Sequence, residues 1–170
     1  VAHTRSRNEK MLARELNCLH IVNYLPLAQR VTRSPTSKRL FLSLVPVFPG
    51  YVFFYATEEQ RYAALRTNRI ANILQVPNQE QLRAELSHIQ FLLTQTDAFE
   101  VSQRLKAGDW GRVRSGPLAG VEGVISHVSG RYRLTMNVTI LGQGISVELD
   151  RDNVEPIEPP RYLTAAGSGR

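Results

Sequence analysis

Four histidines, one cysteine and a few paired carboxylates are the residues of this chain that could carry catalysis. His3, His20, His88 and His127 are scattered, with neither the HxxxH nor the HxH spacing that brings two imidazoles onto one metal. Cys18 lies two residues from His20. A thiolate nucleophile needs a base held against it, whereas a packing cysteine at a helix end needs only burial. Glu58-Glu59 and the Asp150/Asp152 pair stand beside helix starts and turns, where carboxylates cap and solubilise. No GxGxxG or Walker pattern cradles a phosphate, and Gly116, Gly120 and Gly123 suit tight turns. No catalytic residue, metal or cofactor is expected, and the chain reads as a binding protein.

The chemistry that remains is binding chemistry, and it is concentrated in two places. Residues 1–40 hold Arg5, Arg7, Lys10, Arg14, Arg30, Arg33, Lys38 and Arg39 against only Glu9 and Glu15, while the other basic and acidic residues cancel. The net charge of +6 is therefore local. Such a stretch is either a surface for polyanions, where each phosphate contact releases counterions, or a merely solvated face. The second place is Val47-Phe48-Pro49-Gly50-Tyr51-Val52-Phe53-Phe54-Tyr55. In a strand from Tyr51, alternation puts Tyr51, Phe53 and Tyr55 on one face and Val52 and Phe54 on the other. Either the strand is central and covered on both sides, or one face is an exposed aromatic patch for a partner.

Bulk properties bound the rest. A chain of 170 residues with 42% hydrophobic residues suits one domain or two small ones. Cys18 alone allows no intrachain disulfide and no cysteine-based zinc site, which fits a reducing cytoplasm. No apolar run approaches the roughly 18–20 residues of a membrane helix, and no signal peptide is visible, so no membrane partner is expected. The opening Val1-Ala2-His3-Thr4 is strand-like and lacks Met, reading as a start inside an element.

The elements follow from pattern. After a strand over 1–4, Asn8 is placed to cap a helix over 9–17 with Leu12, Leu16 and Leu19 on one face. A short strand over 21–25 ends at Pro26, and 32–38, with Ser34-Pro35-Thr36-Ser37, reads as loop. Strands over 40–48 and 51–55 meet at the Pro49-Gly50 turn. Thr57 and Gln60 suit a capping box for a helix to about 68. A strand over 70–76 follows, then a helix capped by Asn78 with Leu82, Leu86, Ile89 and Leu93 as its apolar stripe. Residues 94–104 have neither period and read as linker. Beyond it come strands over 109–114 and 123–128, a Ser129-Gly130 turn, an alternating strand 132–140, a turn at 142–144 and a return strand with Ile145, Val147 and Leu149 inward. Short strands with glycine turns indicate a small barrel. The fold class expected is α+β: a mixed α/β domain at 1–96, a linker at 97–106, an all-β domain at 107–158 and a disordered tail at 159–170.

These residues resemble a known family. His3-Thr4-Arg5-Ser6-Arg7-Asn8-Glu9-Lys10, followed by Pro46-Val47-Phe48-Pro49-Gly50-Tyr51-Val52-Phe53, resembles the N-terminal (NGN) domain of NusG-type transcription elongation factors. Gly108-Asp109, Val113, Ser115-Gly116-Pro117-Leu118-Ala119-Gly120, Gly123-Val124 and Ile125 look like a KOW motif, and 134–154 like the rest of a KOW barrel. The His-Thr-Arg-Ser-Arg start and the turn from Arg114 to Gly123 look most like the specialised UpxY antiterminators, with RfaH and LoaP as relatives.

The resemblance implies a ferredoxin- or RRM-like α/β sandwich linked to an SH3-like barrel. It implies docking on the clamp helices of the RNA polymerase β′ subunit through an aromatic pocket, here Phe48, Pro49, Tyr51 and Phe53, which favours the exposed-patch reading. It places Arg5, Arg7, Lys10 and Arg14 towards upstream or non-template DNA, with phosphate contact as their role. Leu118 and Leu141 fall where housekeeping NusG carries Phe residues that meet a ribosomal protein or Rho. Three departures from the family pattern stand out: the aromatics that usually precede the first Val are missing, Asn68-Arg69 stands in place of a Pro-Gly, and Tyr62-Ala63-Ala64-Leu65 in place of a Thr-rich loop contact. The expected function is bacterial antitermination and processivity on long operons. The rivals are a housekeeping NusG and a KOW-type RNA- or ribosome-binding module. The last is opposed by residues 108–156, which hold five basic and six acidic residues. Fold switching of the second domain to a helical hairpin is opposed by β-branched Val138, Thr139, Ile140, Ile145 and Val147.

Overall fold

The computed structural model describes residues 1–33, 40–96, 99–102, 108–128 and 131–160. The turns read at 34–37 and at Ser129-Gly130, most of the linker and the tail beyond 160 lie outside the described residues. The chain divides into two compact units, Val1–Val76 and Pro77–Arg170.

In the first unit β1 (Ala2–Thr4), α1 (Glu9–Cys18), β2 (Val22–Tyr24), β5 (Tyr51–Tyr55), α2 (Glu58–Arg66) and β6 (Ile70–Ile73) run in the order β-α-β-β-α-β. The ribbon of β3 (Leu27–Arg33) and β4 (Leu40–Pro46) is inserted between β2 and β5. The main sheet has the order β2-β5-β1-β6, all antiparallel. Both helices lie on one face, because Leu12 and Leu16 of α1 and Ala64 of α2 pack with Ala2, Val52 and Ile70. Losing one such leucine to alanine would cost about 2–5 kcal/mol.

Local signals explain most of these boundaries. At α2, the Thr57 side chain accepts from the Gln60 amide at 3.3 Å and the Gln60 side chain accepts from the Thr57 amide at 3.0 Å. Such a cap is worth about 1 kcal/mol. Asn8 does not cap α1 with its side chain: its amide donates to the Ser6 carbonyl and its carbonyl oxygen accepts from Arg69. Leu19, expected on the apolar face, lies past the end of α1 and is exposed, as is Cys18, which is therefore not a packing residue. The ribbon strand β3 is not legible in the sequence, because Leu27-Ala28-Gln29-Arg30-Val31 lacks a clean period of two.

The second unit is β-rich. β7 (Glu100–Ser102), β8 (Trp110–Val113), β9 (Glu122–Val128), β10 (Arg131–Val138), β11 (Gln143–Leu149) and β12 (Val154–Ile157) form an antiparallel sheet ordered β12-β8-β9-β10-β11-β7. Leu134, Met136, Val138, Ile145 and Val147 are buried as the alternation predicts. Ile140 instead falls in a 3-10 turn, Thr139–Leu141, closed by Gly142 in the left-handed region. Gly123 is required by packing, since a Cβ there would come 2.6 Å from the Thr135 carbonyl oxygen. β7 lies in the segment read as linker and pairs with β11.

The helix α3 (Gln79–Gln95) groups with this second unit, whereas the sequence pattern ends the first domain at 96. Asn78 caps it, accepting from the Gln81 amide at 3.0 Å. Its buried face is Gln81, Glu85, Ile89 and Leu92; Leu82, Leu86 and Leu93 of the expected stripe are half-buried. The stripe is turned because Thr139 supplies polar partners. Glu85 accepts from the Thr139 amide at 3.1 Å and its hydroxyl at 2.5 Å, and Gln81 donates to Glu85 at 2.9 Å. Buried polar groups are tolerated where they are so paired.

Candidate functional site

The aromatic turn and the start of α1 form one assembly in the first unit. β5 follows a tight turn in which Tyr51 N–H donates to the Phe48 carbonyl at 3.2 Å and Gly50 adopts φ 87°, a conformation glycine takes at little steric cost. The turn is pinned from two sides. Thr4 of β1 donates its amide to the Gly50 carbonyl at 2.8 Å, and the Gly50 amide donates to Glu9 Oε1 of α1 at 2.7 Å.

Phe48 and Phe53 are 1% and 3% exposed and meet edge to face at 6.3 Å between centroids, the arrangement that ring quadrupoles favour. Tyr51 is half-buried and stacks at 5.2 Å on the exposed His3, its cross-strand neighbour. Pro49 and Tyr55 are exposed. An exposed patch made of Phe48, Tyr51 and Phe53 together is thus not what the structure holds. The exposed or half-buried side chains of this region are His3, Pro49 and Tyr51, while Phe48 and Phe53 are buried.

Arg5, Arg7, Lys10 and Arg14 are all exposed. Arg5 donates to Asn68 Oδ1 at 2.8 Å, and Lys10 Nζ reaches the Leu44 carbonyl of the ribbon. Arg7 sits at φ 59° in the turn before α1. Lys10 and Arg14 are one helical turn apart on the outer side of α1, opposite buried Leu12 and Leu16. Neither Arg7 nor Arg14 is in a salt bridge among the described residues.

The two acids of this stretch are engaged elsewhere. Glu9 is buried against Gly50. Glu15 pairs with Arg69 at 2.7 Å, and Arg69 also donates to Asn8 at 2.8 Å while its carbonyl accepts from the Arg5 amide. Glu9, Glu15 and Arg69 are the residues that the sequence does not reveal as part of the site. Glu9 carries a signal, for it shares helical spacing with Leu12 and Leu16. An acid on an apolar face must find a donor. Among the described residues neither acid is in a salt bridge with Arg7, Lys10 or Arg14.

In the second unit Leu118 is buried in the Ser115–Gly120 turn and Leu141 is half-buried in the 3-10 turn. The charges there are matched. Arg133 bridges Glu100 at 2.5 Å and Glu148 at 3.0 Å, Arg131 meets Glu148 at 2.6 Å, and Arg112 meets Glu122 at 2.7 Å. Hydrogen bonds from Arg131 and Arg133 hold the Glu148 carboxyl below its ordinary range. Burial lowers the pKa of His88 on α3, partly opposed by the charge of Glu122.

Among the described residues no group of His, Cys, Asp and Glu is arranged to hold a metal ion, and no helix is long and apolar enough to cross a membrane. The class defined by this geometry is a two-unit α/β binding protein that carries a cationic helix beside an aromatic turn. Residues 1–91 match a family model described as "Transcription termination factor nusG", and the chain belongs to the NusG family. Its members are transcription elongation and termination factors that bind RNA polymerase, not enzymes. No curated protein matches the chain.

Proposed function

We propose that this protein is an antitermination and processivity factor of the specialised UpxY/RfaH/LoaP kind, docking on the polymerase clamp helices. In this reading the first unit is a ferredoxin- or RRM-like NGN domain and the β-rich unit a KOW barrel. Tyr51, with His3 and Pro49, is the docking surface, and Phe48 and Phe53 are the rigid floor that fixes its shape. Arg5, Arg7, Lys10 and Arg14 steady the DNA at the upstream edge of the bubble through phosphates. A factor held at both points keeps the clamp closed and suppresses pausing, so that long transcripts pass early terminators.

The single observation behind this reading is the Glu9–Gly50 hydrogen bond of 2.7 Å. It joins the aromatic turn directly to the cationic helix, so docking at the turn brings those charges to a defined place. The specialised role is favoured over coupling to Rho or a ribosomal protein by the burial of Leu118, which withdraws one of the two apolar side chains such a partner would grip.

The test is binding of core RNA polymerase by the full chain and by Tyr51→Ala, a half-buried site that leaves the floor intact. A loss of about tenfold is expected, in the range of a 1–2 kcal/mol aromatic contact. Undiminished binding by Tyr51→Ala would remove the docking claim. Transcription over a leader with a terminator, with and without Rho, separates the rival: read-through without Rho supports antitermination, and Rho-dependent termination the housekeeping role.

A further inference from the structure

The β3-β4 ribbon carries an apolar face that the docking surface above does not use. Cross-strand partners share a face, so the register Gln29↔Leu44, Val31↔Leu42 and Arg33↔Leu40 puts Val31, Leu40, Leu42 and Leu44 on one side, with the register positions of Gln29 and Arg33 beside them. Their exposures are 61, 69, 66 and 49%. Four large aliphatic side chains in a row on a two-stranded ribbon are unusual for a surface that meets only water. Arg30 stands on the opposite side, paired with Ser43. In sequence, residues 27–46 contain Arg30, Arg33, Lys38 and Arg39 and no acid; the whole stretch between Glu15 and Glu58 is free of Asp and Glu.

We propose that this leucine face is a second contact with RNA polymerase, seated on a protein surface that is apolar at its centre and acidic at its rim; this rests on the polymerase-docking reading. Charge selects the occupant. A second copy would bring two all-cationic ribbons together, and like charges at a contact oppose it. Four aliphatic side chains also fall short of the roughly 800 Å² per partner of a stable free-standing interface. For a protein already tethered through its aromatic turn, however, a small contact is sufficient, because its partner is present at high effective concentration. Nucleic acid is the poorer occupant, since a phosphate-binding face is polar throughout and this one presents four exposed aliphatic side chains with one basic register position, Arg33, at its edge. The ribbon is fixed to the docking body by Lys10 Nζ on the Leu44 carbonyl and by the Val47 amide on the Pro26 carbonyl at 2.9 Å. Its face therefore has a set direction once the turn is docked.

The experiment measures the affinity of the full chain for core RNA polymerase at low and high salt. It uses a Leu42→Ser/Leu44→Ser variant, the single variant Val31→Ser and, as comparator, Phe91→Ala at an exposed position of α3. The double variant is expected to bind at least about tenfold more weakly at both salts, Val31→Ser about threefold more weakly, and Phe91→Ala as the parent. Arg33→Glu, at the register position opposite Leu40, should weaken binding several-fold at low salt only, as expected for a rim charge. Unchanged affinity of the leucine and valine variants, with Tyr51→Ala still weakened, would overturn the ribbon contact and leave the docking reading standing. Failure of the parent chain to bind would overturn both. Two further outcomes also overturn the proposal. One is a parent dimer by sedimentation that the double variant dissolves; the other is a loss of forked-DNA affinity with polymerase affinity intact.

Discussion

The basic residues of the first unit and those of the second live in opposite electrostatic circumstances. Around α1 the two acids have other partners, Glu9 the Gly50 amide and Glu15 the Arg69 guanidinium, and Arg7 and Arg14 are exposed and in no salt bridge among the described residues. Across β8, β9, β10 and β11 every arginine named above meets a glutamate on a neighbouring strand. A count of charges along the chain sees this only as an imbalance over residues 1–40. The structure supplies the mechanism: a surface is available to a polyanion when its acids already have other partners. Exposed ion pairs contribute little to stability, with a median of about 0–1 kcal/mol. The ladder of the second unit thus matters mainly because it neutralises the sheet.

The largest test of that contrast is on nucleic-acid binding. Reversing Arg7 and Arg14 to Glu should lower the affinity for forked DNA by more than about tenfold at low salt. It should also flatten the slope of log K against log salt by about two, one for each phosphate that is no longer neutralised. Reversing Arg112 and Arg131 should leave both nearly unchanged. Equal effects from the two pairs, read by fluorescence anisotropy over a salt series, would abolish the distinction between free and paired arginines.

Second in size is the pin. Glu9→Ala leaves the Gly50 amide without its acceptor and is expected to cost about 1–3 kcal/mol in urea unfolding. It should also reduce polymerase binding, because the turn that carries Tyr51 loses its anchor to α1. A variant that loses stability but keeps full binding would show that the turn holds its shape without the helix.

The smallest effect concerns His88. Burial lowers its folded-state pKa, so below its ordinary value of about 6.5 the unfolded chain binds the proton more readily than the folded one. Stability therefore falls as the pH drops from about 6.5 towards the folded pKa, and is fully present above that window. His88→Gln should flatten the thermal stability profile of α3 and the β-rich unit on the acid side of neutrality. A profile that keeps its slope in the variant would assign the dependence to another group.

Much of this is legible in the sequence wherever a local rule acts alone. The Thr57/Gln60 box, the Asn78 cap, the Pro49-Gly50 turn and the alternation from Leu134 to Val147 each follow from neighbouring residues. What escapes is decided by partners distant in sequence. Nothing near Asn8 announces that Arg69 will take its side chain, so a local reading makes it a cap. Nothing near Glu85 shows that Thr139 lies 54 residues away in sequence and 2.5 Å away in space, so periodicity alone puts the buried face of α3 on leucines. The aromatic strand is the same case. Alternation tells which rings share a face, but not that Phe48 and Phe53 are buried, which is settled by what packs on them from elsewhere in the chain. The cations Arg5, Arg7, Lys10 and Arg14 are found by type and density alone, while the residues that keep them unneutralised are not.

Arg7 adds one last consequence. A left-handed backbone at a residue with a side chain costs roughly 1–2 kcal/mol, and glycine at the same φ of 59° would escape most of that. The residue that would make this turn most comfortable is thus one that cannot hold a charge. Selecting this protein for heat resistance would push Arg7 towards glycine, whereas selecting it for grip on DNA would push the other way. The two pressures meet at a single dihedral angle.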